Sequence, residues 1–372
     1  MQGCVQKRRN RWYIRYYIGK DANGKWKEKS EGSWATKREA EKVLRMRITE
    51  IESSFERKVD NSSLAVYLKH WFETYCKSQL AANTIRGYRV NIENHIVPRI
   101  GHIQLNRLKP NDIQALYDDL LDSGLSGTSV RYVHNNLHKA LNAAVKEQLI
   151  LRNPADFVYP PKVSRFEGDT LTPEQSLALL KACNGTEIYL PVFLAVSLGL
   201  RRGEALGLQW DDIDFVSGTV TIRHSANFTK DGITLSTTKT KNSRRTLQLP
   251  DALKRSLEYT FSTQEERKVQ YGVGYNPYNL VCCRADGSPL TSNCLHHKFK
   301  AVLDQCGLPE IRFHDLRHTN ATLMLRNAIP AKIVSSMLGH SSIGITLDTY
   351  SHVITEMQSG ATNAMNVIFQ GL

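Results

Sequence analysis

The sequence contains no apolar segment long enough to cross a lipid bilayer. Its longest apolar run, IYLPVFLAVSLGL at residues 188–200, has thirteen residues, whereas a transmembrane helix needs roughly 20. The first residues, MQGCVQKRRNRW, also lack the apolar stretch of a secretory signal. These absences argue against a membrane or secreted protein, and they predict a cytoplasmic protein whose apolar run is a buried helix.

Cysteine patterns that hold zinc or form a disulfide framework are absent as well. The seven cysteines, at positions 4, 76, 183, 282, 283, 294 and 306, include no Cys-x-x-Cys pair. Zinc ribbons and small disulfide-rich domains both need paired, regularly spaced cysteines. In a reducing cytoplasm we therefore expect free thiols, and we expect no metal site.

Positive charge, by contrast, is in excess. The chain of 372 residues has 49 Lys and Arg against 36 Asp and Glu, a net charge of +13, and its pI is about 9.4. A surface this basic attracts polyanions, either nucleic acid or an anionic membrane. The hydrophobic fraction of 41% and the lack of low-complexity tracts indicate a folded chain of two or three domains.

Residues 1–60 predict a small basic sheet covered by a helix. They carry 16 Lys and Arg against 9 Asp and Glu. RWYIRYYIG alternates with the period of a strand, Asn23 and Gly24 predict a hairpin turn, and Thr36 with Glu39 has the pattern of a capping box before a helix. A β-ribbon of this kind binds in a DNA groove, although an ordinary solvated face has the same pattern. The residues proposed to contact DNA here are Arg15, Lys25, Lys27 and Lys29.

Residues 61–158 have helical periodicity. In TSVRYVHNNLHKALNAAVKEQLI, apolar residues repeat at helical spacing and the polar remainder is rich in Arg, Lys and His. His134 and His138 are four residues apart, but no carboxylate or cysteine accompanies them, so we expect solvated histidines and not a metal site. Prolines then break the periodicity, which predicts a linker at residues 159–167. The basic residues available to DNA phosphates are Arg86, Arg131 and Lys139.

Residues 168–372 mix helices with short strands, and four separate motifs in them carry groups suited to phosphate. In LGLRRGEALGL, Arg201 follows the buried helix and Glu204 lies three residues beyond it, which is the arrangement of an arginine oriented by a carboxylate. In TTKTKNSRRTLQLP, Lys239 and Lys241 precede a strand and are expected at a hairpin tip. A lysine there can donate a proton to a leaving oxygen, whereas most such lysines are merely solvated.

The other two motifs combine histidines with an arginine and a tyrosine. In FHDLRHTNATLML, His314 and Arg317 lie on one helix face, and they are a suitable pair for an oxyanion. The same string has the His-x-x-x-His spacing of helical zinc sites, but the arginine inside that turn argues against a metal. In LGHSSIGITLDTYSHV, Gly339 is a candidate helix end, His340 follows it, and Tyr350 lies in a short helix. A lone tyrosine of this kind is usually a core residue.

Taken in order, the motifs resemble those of the tyrosine recombinases, also called the phage-integrase family, and most of all the integrases of conjugative transposons and temperate phages. The resemblance covers nearly the whole chain and includes LQWDDIDF and MLGHSSIGITLDTYSHV. It implies a multidomain, mainly α protein with an arm-type DNA-binding domain of three-stranded sheet plus helix at 1–60, a helical SAM-like core-binding domain at 61–158, and a mixed α/β (α+β) catalytic domain at 168–372. It also implies six catalytic residues, with Lys241 an alternative to the second of them: Arg201, Lys239, His314, Arg317, His340 and Tyr350.

The resemblance also implies an activity and partners. A tyrosine of this family attacks a phosphate of duplex DNA and forms a 3′-phosphotyrosyl bond, and the enzyme so integrates or excises a mobile element without metal, ATP or another cofactor. The implied partners are double-stranded DNA at core and arm attachment sites, further copies of the chain in a tetramer, and an excisionase or host DNA-bending protein in a bacterial nucleoid. A type IB topoisomerase-like enzyme and an inactive architectural DNA-binding protein are the alternatives. The C-terminal tail is expected to dock on a neighbouring subunit or on its own domain.

Overall fold

The computed structural model divides the chain into two units, Met1–Phe166 and Glu167–Leu372. The residues that the structure describes are 3–8, 10–20, 26–56, 62–162, 169–229, 232–237, 244–351, 366 and 368–370. Within those ranges, no helix combines the length and the apolar character that a membrane span requires.

A three-stranded sheet followed by helices makes up the first unit. Its elements are β1 (Gly3–Arg8), β2 (Arg11–Lys20), β3 (Trp26–Trp34), α1 (Lys37–Glu56), α2 (Leu64–Trp71), α3 (Lys77–Gln79), α4 (Ala82–Val90), α5 (Val97–Ile100), α6 (Pro110–Asp122) and α7 (Gly127–Lys146). Two π-helical turns, Phe72–Cys76 and Asn91–Ile96, join α2 to α3 and α4 to α5.

The second unit mixes helices with short strands. Its elements are α8 (Pro173–Cys183), α9 (Tyr189–Leu198), α10 (Arg202–Leu206), β4 (Ile213–Asp214), β5 (Thr219–Ile222), β6 (His224–Thr229), β7 (Gly232–Thr237), β8 (Arg245–Gln248), α11 (Asp251–Tyr271), α12 (Ser292–Gln305), α13 (Asp315–Arg326), α14 (Ala331–Leu338) and α15 (Ile343–Thr349). Sheet plus helix, helical segment and mixed α/β unit follow one another as the sequence predicts.

The N-terminal sheet is antiparallel in the order β1-β2-β3, and α1 packs on one face of it. The predicted alternation along β2 is confirmed, because Ile14 and Tyr16 are buried in one cluster with Leu44 of α1. The turn predicted at Asn23 and Gly24 lies outside the described residues, but the strands on either side of it pair antiparallel. The period-two pattern therefore marks the face that the helix covers.

The start of α1 follows the predicted capping box. The backbone amide of Glu39 donates to Oγ1 of Thr36 over 3.3 Å, and the backbone amide of Thr36 donates to Oε2 of Glu39 over 3.2 Å. Both bonds satisfy amides that a helix start otherwise leaves without a partner. The helix can therefore begin immediately after β3 and return across the sheet.

The helical segment of the first unit buries the apolar stripe predicted from its periodicity. Its two histidines have partners inside the fold: His134 Nδ1 lies 2.7 Å from the Tyr117 hydroxyl, and His138 Nε2 lies 2.8 Å from Oδ1 of Asp156. Within the described ranges, no group of three His, Cys, Asp or Glu is arranged to hold a metal ion. Fully buried on α7 are Val130, Val133, Leu137, Ala140, Leu141 and Ala144.

The second unit is built around α9, which is buried over most of its surface as predicted. Helix α13 packs against it, and Nδ2 of Asn320 donates to the carbonyls of Val196 and Ser197 over 2.8 and 3.0 Å. Strands β4, β5 and β8 form one antiparallel sheet, and β6 with β7 forms a separate hairpin. The end of α9 and the beginning of α13 therefore lie side by side, and the candidate site is found there.

The two lysines predicted at a hairpin tip, Lys239 and Lys241, lie outside the described residues. They fall between β7 and β8, and a strand does follow them, beginning at Arg245. These flanking strands belong to different sheets, and β7 pairs with β6 from Gly232, which lies opposite Thr229. Each strand beside the lysines is therefore paired with another strand among the described residues, and the place of the lysines at a hairpin tip stays a prediction.

Candidate active site

The first predicted arginine emerges where α9 ends. Gly199 closes the helix in the left-handed conformation, at φ 65°, where a glycine is favoured because it has no Cβ. A Cβ there would lie 2.4 Å from Cδ2 of Leu338 and 2.8 Å from Oδ1 of Asn320. The tight turn brings Arg201 into place two residues later, at the start of α10.

Glu204 orients Arg201, as predicted from the spacing. The guanidinium donates to Oε1 of Glu204 over 2.7 Å and its other nitrogen to the carbonyl of Gly339 over 3.3 Å. The carboxylate is 3% exposed, so burial by itself would raise its pKa. The hydrogen bond from Arg245 and the charges of Arg245 and Arg201 outweigh burial and hold the pKa of Glu204 below its ordinary value.

Arg245 is a member of this cluster that the sequence motifs did not reveal. It donates to Oε2 of Glu204 over 2.9 Å and to the carbonyl of Met337 over 2.6 Å, and it is almost completely buried. Its signal in the sequence is the alternation of β8, where Arg245 and Leu247 are buried while Thr246 and Gln248 are exposed. A charged residue at an inward strand position needs a buried partner.

The second predicted arginine lies on α13 and is buried in the same place. NH1 of Arg317 donates to the carbonyl of Gly199 over 2.8 Å, and the side chain is only 2% exposed. Its NH2 is buried and makes no hydrogen bond within the described residues. Burial and the charge of Arg201 lower the pKa of Arg317, but a guanidinium stays protonated at neutral pH. The buried guanidinium thus keeps one donor group that has no acceptor among the described residues.

The fourth motif positions His340 through a helix end. Helix α14 ends at Gly339, whose φ of 67° confirms the predicted left-handed cap. The ring then turns inward, with Nδ1 2.8 Å from the hydroxyl of Thr346. Burial, followed by the charges of Arg317 and Arg201, lowers the pKa of His340 to about 4. The imidazole is therefore neutral at physiological pH, and its other nitrogen is available to a ligand.

Tyr350 follows α15 directly and is 2% exposed. Its ring packs with Leu325 and Leu338, and its hydroxyl lies 2.8 Å from Nδ1 of His318. Burial raises the pKa of Tyr350 to about 12, and the charge of Arg317 opposes that rise. His318 was absent from the predicted site. Its sequence signal was the second histidine of HDLRH, which was weighed only as a metal ligand.

One cavity of about 400 Å³ is lined by the two predicted arginines, His318, His340 and Tyr350. His314 also lines it, directly before α13, and is exposed as a residue, while desolvation and the charges of His318 and Arg317 lower its pKa. Five of the six predicted catalytic residues therefore meet at one place, and Lys239 lies outside the described residues. The cavity is lined by Arg201, His314, Arg317, His318, Gly339, His340, Ser341, Ile345, Thr349 and Tyr350.

The DNA-contacting residues predicted on the sheet do not all belong to one surface. Arg15 pairs with Glu28 across the strands, and both lie on the face away from the buried Ile14. Lys29 is opposite Tyr16, on the side of the sheet that α1 covers, and its Nζ lies 2.8 Å from a carboxylate oxygen of Glu31. Lys27 is exposed on β3, and Lys25 is outside the described residues. Arg15 and Lys29 therefore point to opposite sides.

The basic residues predicted on the helical segment are accessible. Arg86 on α4 and Lys139 on α7 are exposed, and Arg131 on α7 is half-buried. The ammonium group of Lys139 lies over the ring of Tyr88 at 5.7 Å and donates to its hydroxyl over 3.3 Å. Aromatic and basic groups thus adjoin on this surface, a combination that suits nucleic acid.

A buried tyrosine facing two arginines and a neutral histidine defines a class of proteins that use tyrosine for nucleophilic attack on a phosphodiester. Comparison with known families agrees with this class. The Phage integrase family profile matches residues 169–357, that of a phage integrase N-terminal SAM-like domain matches 63–121, and that of an arm DNA-binding domain matches 5–51. The chain therefore belongs to the phage integrase family, and it is a tyrosine recombinase.

Individual relatives agree with this assignment. A tyrosine recombinase XerC-like protein of Caldanaerobacter subterraneus subsp. tengcongensis is 30% identical over 372 residues, 95% of each chain. The ICEBs1 integrase of Bacillus subtilis is 26% identical over 86% of each chain. Among solved structures, the Tn1549 transposon integrase with transposon right end DNA matches with a TM-score of 0.69 at 20% identity, covering 80% of this chain and 99% of that one. A lambda integrase dimer on a core site matches with a TM-score of 0.62 at 20% identity, over 93% of each chain.

Proposed function

We propose that this recombinase integrates and excises a mobile element by way of a covalent bond between Tyr350 and DNA. The hydroxyl of Tyr350 attacks a scissile phosphate, its oxygen bonds to the phosphorus, and the bond to the 5′ oxygen breaks, leaving a 3′-phosphotyrosyl link and a free 5′-hydroxyl. Because the bond energy is kept in that link, a second strand's 5′-hydroxyl can reverse the step without ATP. The convergence of the tyrosine and the cations on one cavity carries the proposal.

The cations have separate tasks in this scheme. Arg201 and Arg317 bind the non-bridging oxygens, which gain charge in the transition state, and the free NH2 of Arg317 supports that assignment. Neutral His340 donates one hydrogen bond to the same phosphate, and the family resemblance implies that His314 assists proton transfer at the nucleophile. Lys239, or Lys241 in its place, protonates the leaving 5′ oxygen.

The proposed partners follow from the same relatives. We assign 1–60 to arm-type sites, 61–158 to core-type sites, 159–167 to a linker and 168–372 to catalysis and the C-terminal tail. A lambda integrase tetramer bound to a Holliday junction matches this chain with a TM-score of 0.58, which supports assembly as a tetramer on DNA. The bacterial relatives support a nucleoid location, and an excisionase or host DNA-bending protein would then direct the reaction. The tail lies mostly outside the described residues, so its docking stays a prediction.

The decisive experiment captures the covalent intermediate from a pool of random target sequences. Nicked duplex oligonucleotides with a randomised centre are incubated with the protein in EDTA, and adducts that survive denaturation are isolated and sequenced. A nick near the cleavage point lets a short fragment diffuse away, so the adduct accumulates. We expect adducts at one phosphate of an enriched sequence, and none with Tyr350→Phe. Failure of the wild-type protein to form an adduct, or equal adduct formation by Tyr350→Phe, would refute the proposal.

A further inference from the structure

The histidine that meets the nucleophile is His318 and not His314, to which the family resemblance assigns assistance in proton transfer. Nδ1 of His318 lies 2.8 Å from the hydroxyl of Tyr350, and the two ring centroids are 5.7 Å apart. No hydrogen bond joins His314 to Tyr350 among the described residues. The ring of His314 instead meets the ring of His318 edge-on, with the two ring centroids 5.3 Å apart.

We propose that His318 is the general base that removes the phenolic proton of Tyr350 as the tyrosine attacks DNA. This inference rests on the proposed function and adds a catalytic residue to it. The Oη–H bond breaks and an Nδ1–H bond forms, while the oxygen's electron pair bonds to phosphorus. The bond from phosphorus to the 5′ oxygen breaks, and that oxygen takes its proton from the lysine or from water. The histidinium returns the proton to Tyr350 when the link is resolved.

The electrostatic surroundings suit this role. A phenol is protonated at neutral pH, and burial raises the pKa of Tyr350 further, from 10.0 to about 12, so attack requires a proton acceptor. Burial lowers the pKa of His318, and the charges of Arg317 and Arg312 act in the same direction while Asp315 opposes them. The ring is consequently neutral before reaction, and its Nδ1 can accept a proton when Nε2 carries the hydrogen.

The same charges stabilise the products of the transfer. Asp315, one turn before His318 on α13, attracts the histidinium, and the positive charge of Arg317 favours the phenolate. His314 and His340 also border this part of the cavity, and their lowered pKa values make them neutral near pH 7. His318 is therefore neutral before it accepts the proton, and the negative charge of Asp315 partly offsets its positive charge afterwards.

The geometry is fixed on both sides of the bond. Helix α13 is anchored by Thr319, whose hydroxyl accepts from the backbone amide of Leu171 and donates to the carbonyl of Asp315. Tyr350 is held by the apolar cluster that includes Leu325 and Leu338. The base and the nucleophile are thus positioned before DNA binds, which reduces the reorganisation that proton transfer requires.

The test compares His318→Asn and His318→Ala with an exposed histidine on α12, His297→Asn. Asparagine places an acceptor oxygen near the position of Nδ1 but cannot take the proton. The substrate is the duplex enriched by the wild-type protein, and the measurement is the single-turnover rate of adduct formation over a range of pH. We expect His318→Asn and His318→Ala to slow the reaction by at least about tenfold, since general bases contribute about 10²- to 10⁴-fold. His297→Asn should match the wild type.

A second substrate distinguishes a variant that has lost the general base from one that has lost the group that protonates the leaving oxygen. Sulfur in place of the bridging 5′ oxygen leaves without protonation, so it should restore a Lys239→Ala variant and leave the His318 variants slow. The wild-type rate should rise with pH and level off as His318 deprotonates, whereas the rate of His318→Asn should continue to rise as the phenol ionises. DNA binding and thermal unfolding of both variants establish that they are folded.

Three outcomes would overturn the inference while leaving the proposed function intact, provided that the wild type forms its adduct and Tyr350→Phe does not. They are a His318→Asn rate within about tenfold of the wild type, full rescue of that variant by the sulfur substrate, and an unchanged pH profile. Absence of the wild-type adduct would instead refute the proposed function itself.

Discussion

At the scale of single residues, each charged group of the cavity is held by a partner from a distant motif. Glu204 lies between Arg201 and Arg245, and Arg245 reaches the carbonyl of Met337 beside the His340 motif. Arg317 bonds to the carbonyl of Gly199 at the end of α9. These contacts fix the positions of the cations before a phosphate arrives, and such preorganisation is what makes electrostatic catalysis effective.

A variant of Glu204 tests this arrangement. Glu204→Gln should lower the free energy of unfolding by about 3 kcal/mol, because it replaces the buried carboxylate that pairs with Arg245 by a neutral amide. It should also slow adduct formation, since Arg201 loses the group that orients it. The measurements are urea unfolding and single-turnover cleavage. Glu310→Gln, which removes an exposed partner of Lys300, should leave both unchanged; equal effects of the two variants would contradict the prediction.

At the scale of secondary-structure elements, the ends of helices position the site. Helices α9 and α14 both end at a left-handed glycine, and a predicted catalytic residue follows each within two positions. Arg317 and His318 lie in the first turns of α13, which packs on α9. Helix ends can place side chains this accurately because their backbone conformation is set by the cap and by packing.

Gly199 offers a direct test of that idea. Gly199→Ala combines an unfavourable φ with a Cβ that meets Leu338 and Asn320, so we expect a loss of stability well above about 1 kcal/mol and slower cleavage. Gly185→Ala is the matched control, because Gly185 also has a positive φ, 76°, with no atom within 4 Å of its Cβ position. Gly185→Ala should lose only the smaller amount of stability that comes from its unfavourable φ. Similar unfolding and cleavage data for both variants would refute the argument.

The contact between the N-terminal sheet and α1 should make the free energy of unfolding depend on pH. Hydrogen bonds from Lys29 and Tyr16 lower the pKa of Glu31 from 4.5 to about 2, and Arg47 of α1 donates to the same carboxylate. A depressed pKa contributes stability that is present above pH 4.5 and is lost as the pH falls through about 2. The free energy of unfolding should therefore fall less in Glu31→Gln than in the wild type between about pH 6 and about pH 2.5.

Urea unfolding at the two pH values measures the effect. Glu41→Gln serves as the control, because Glu41 pairs with Lys37 within α1 and this ion pair is more exposed than that of Glu31 with Arg47. An acid-induced loss of stability that is the same in the wild type and in Glu31→Gln would show that Glu31 does not report on this contact.

At the scale of the whole molecule, the net charge of +13 makes DNA binding salt-dependent. Lys139 lies on an exposed basic and aromatic surface of α7 beside Tyr88. Lys139→Gln should weaken binding about equally for all sequences and reduce the slope of log K against log salt by about 1. Lys300→Gln is the control, because Lys300 is already paired with Glu310. Binding titrations at several salt concentrations measure both slopes, and an unchanged slope for Lys139→Gln would exclude a phosphate contact.

The sequence by itself determined the elements and the residue types of the site. Periodicity and capping patterns specified the buried β2 face, the start of α1 and the left-handed end of α14, because these depend on a few adjacent residues. The ordered motifs also named Arg201, His314, Arg317, His340 and Tyr350, which do line one cavity. Local chemistry and motif order were sufficient for those predictions.

Only the tertiary structure decided which groups touch. Arg245 joined the cluster because β8 directs it inward, and His318 reached Tyr350 because α13 packs beside the apolar cluster that holds the tyrosine. The strands on either side of the two lysines, β7 and β8, belong to different sheets, which their sequences alone do not show. Contacts between residues far apart in the chain depend on packing, and no local pattern encodes packing.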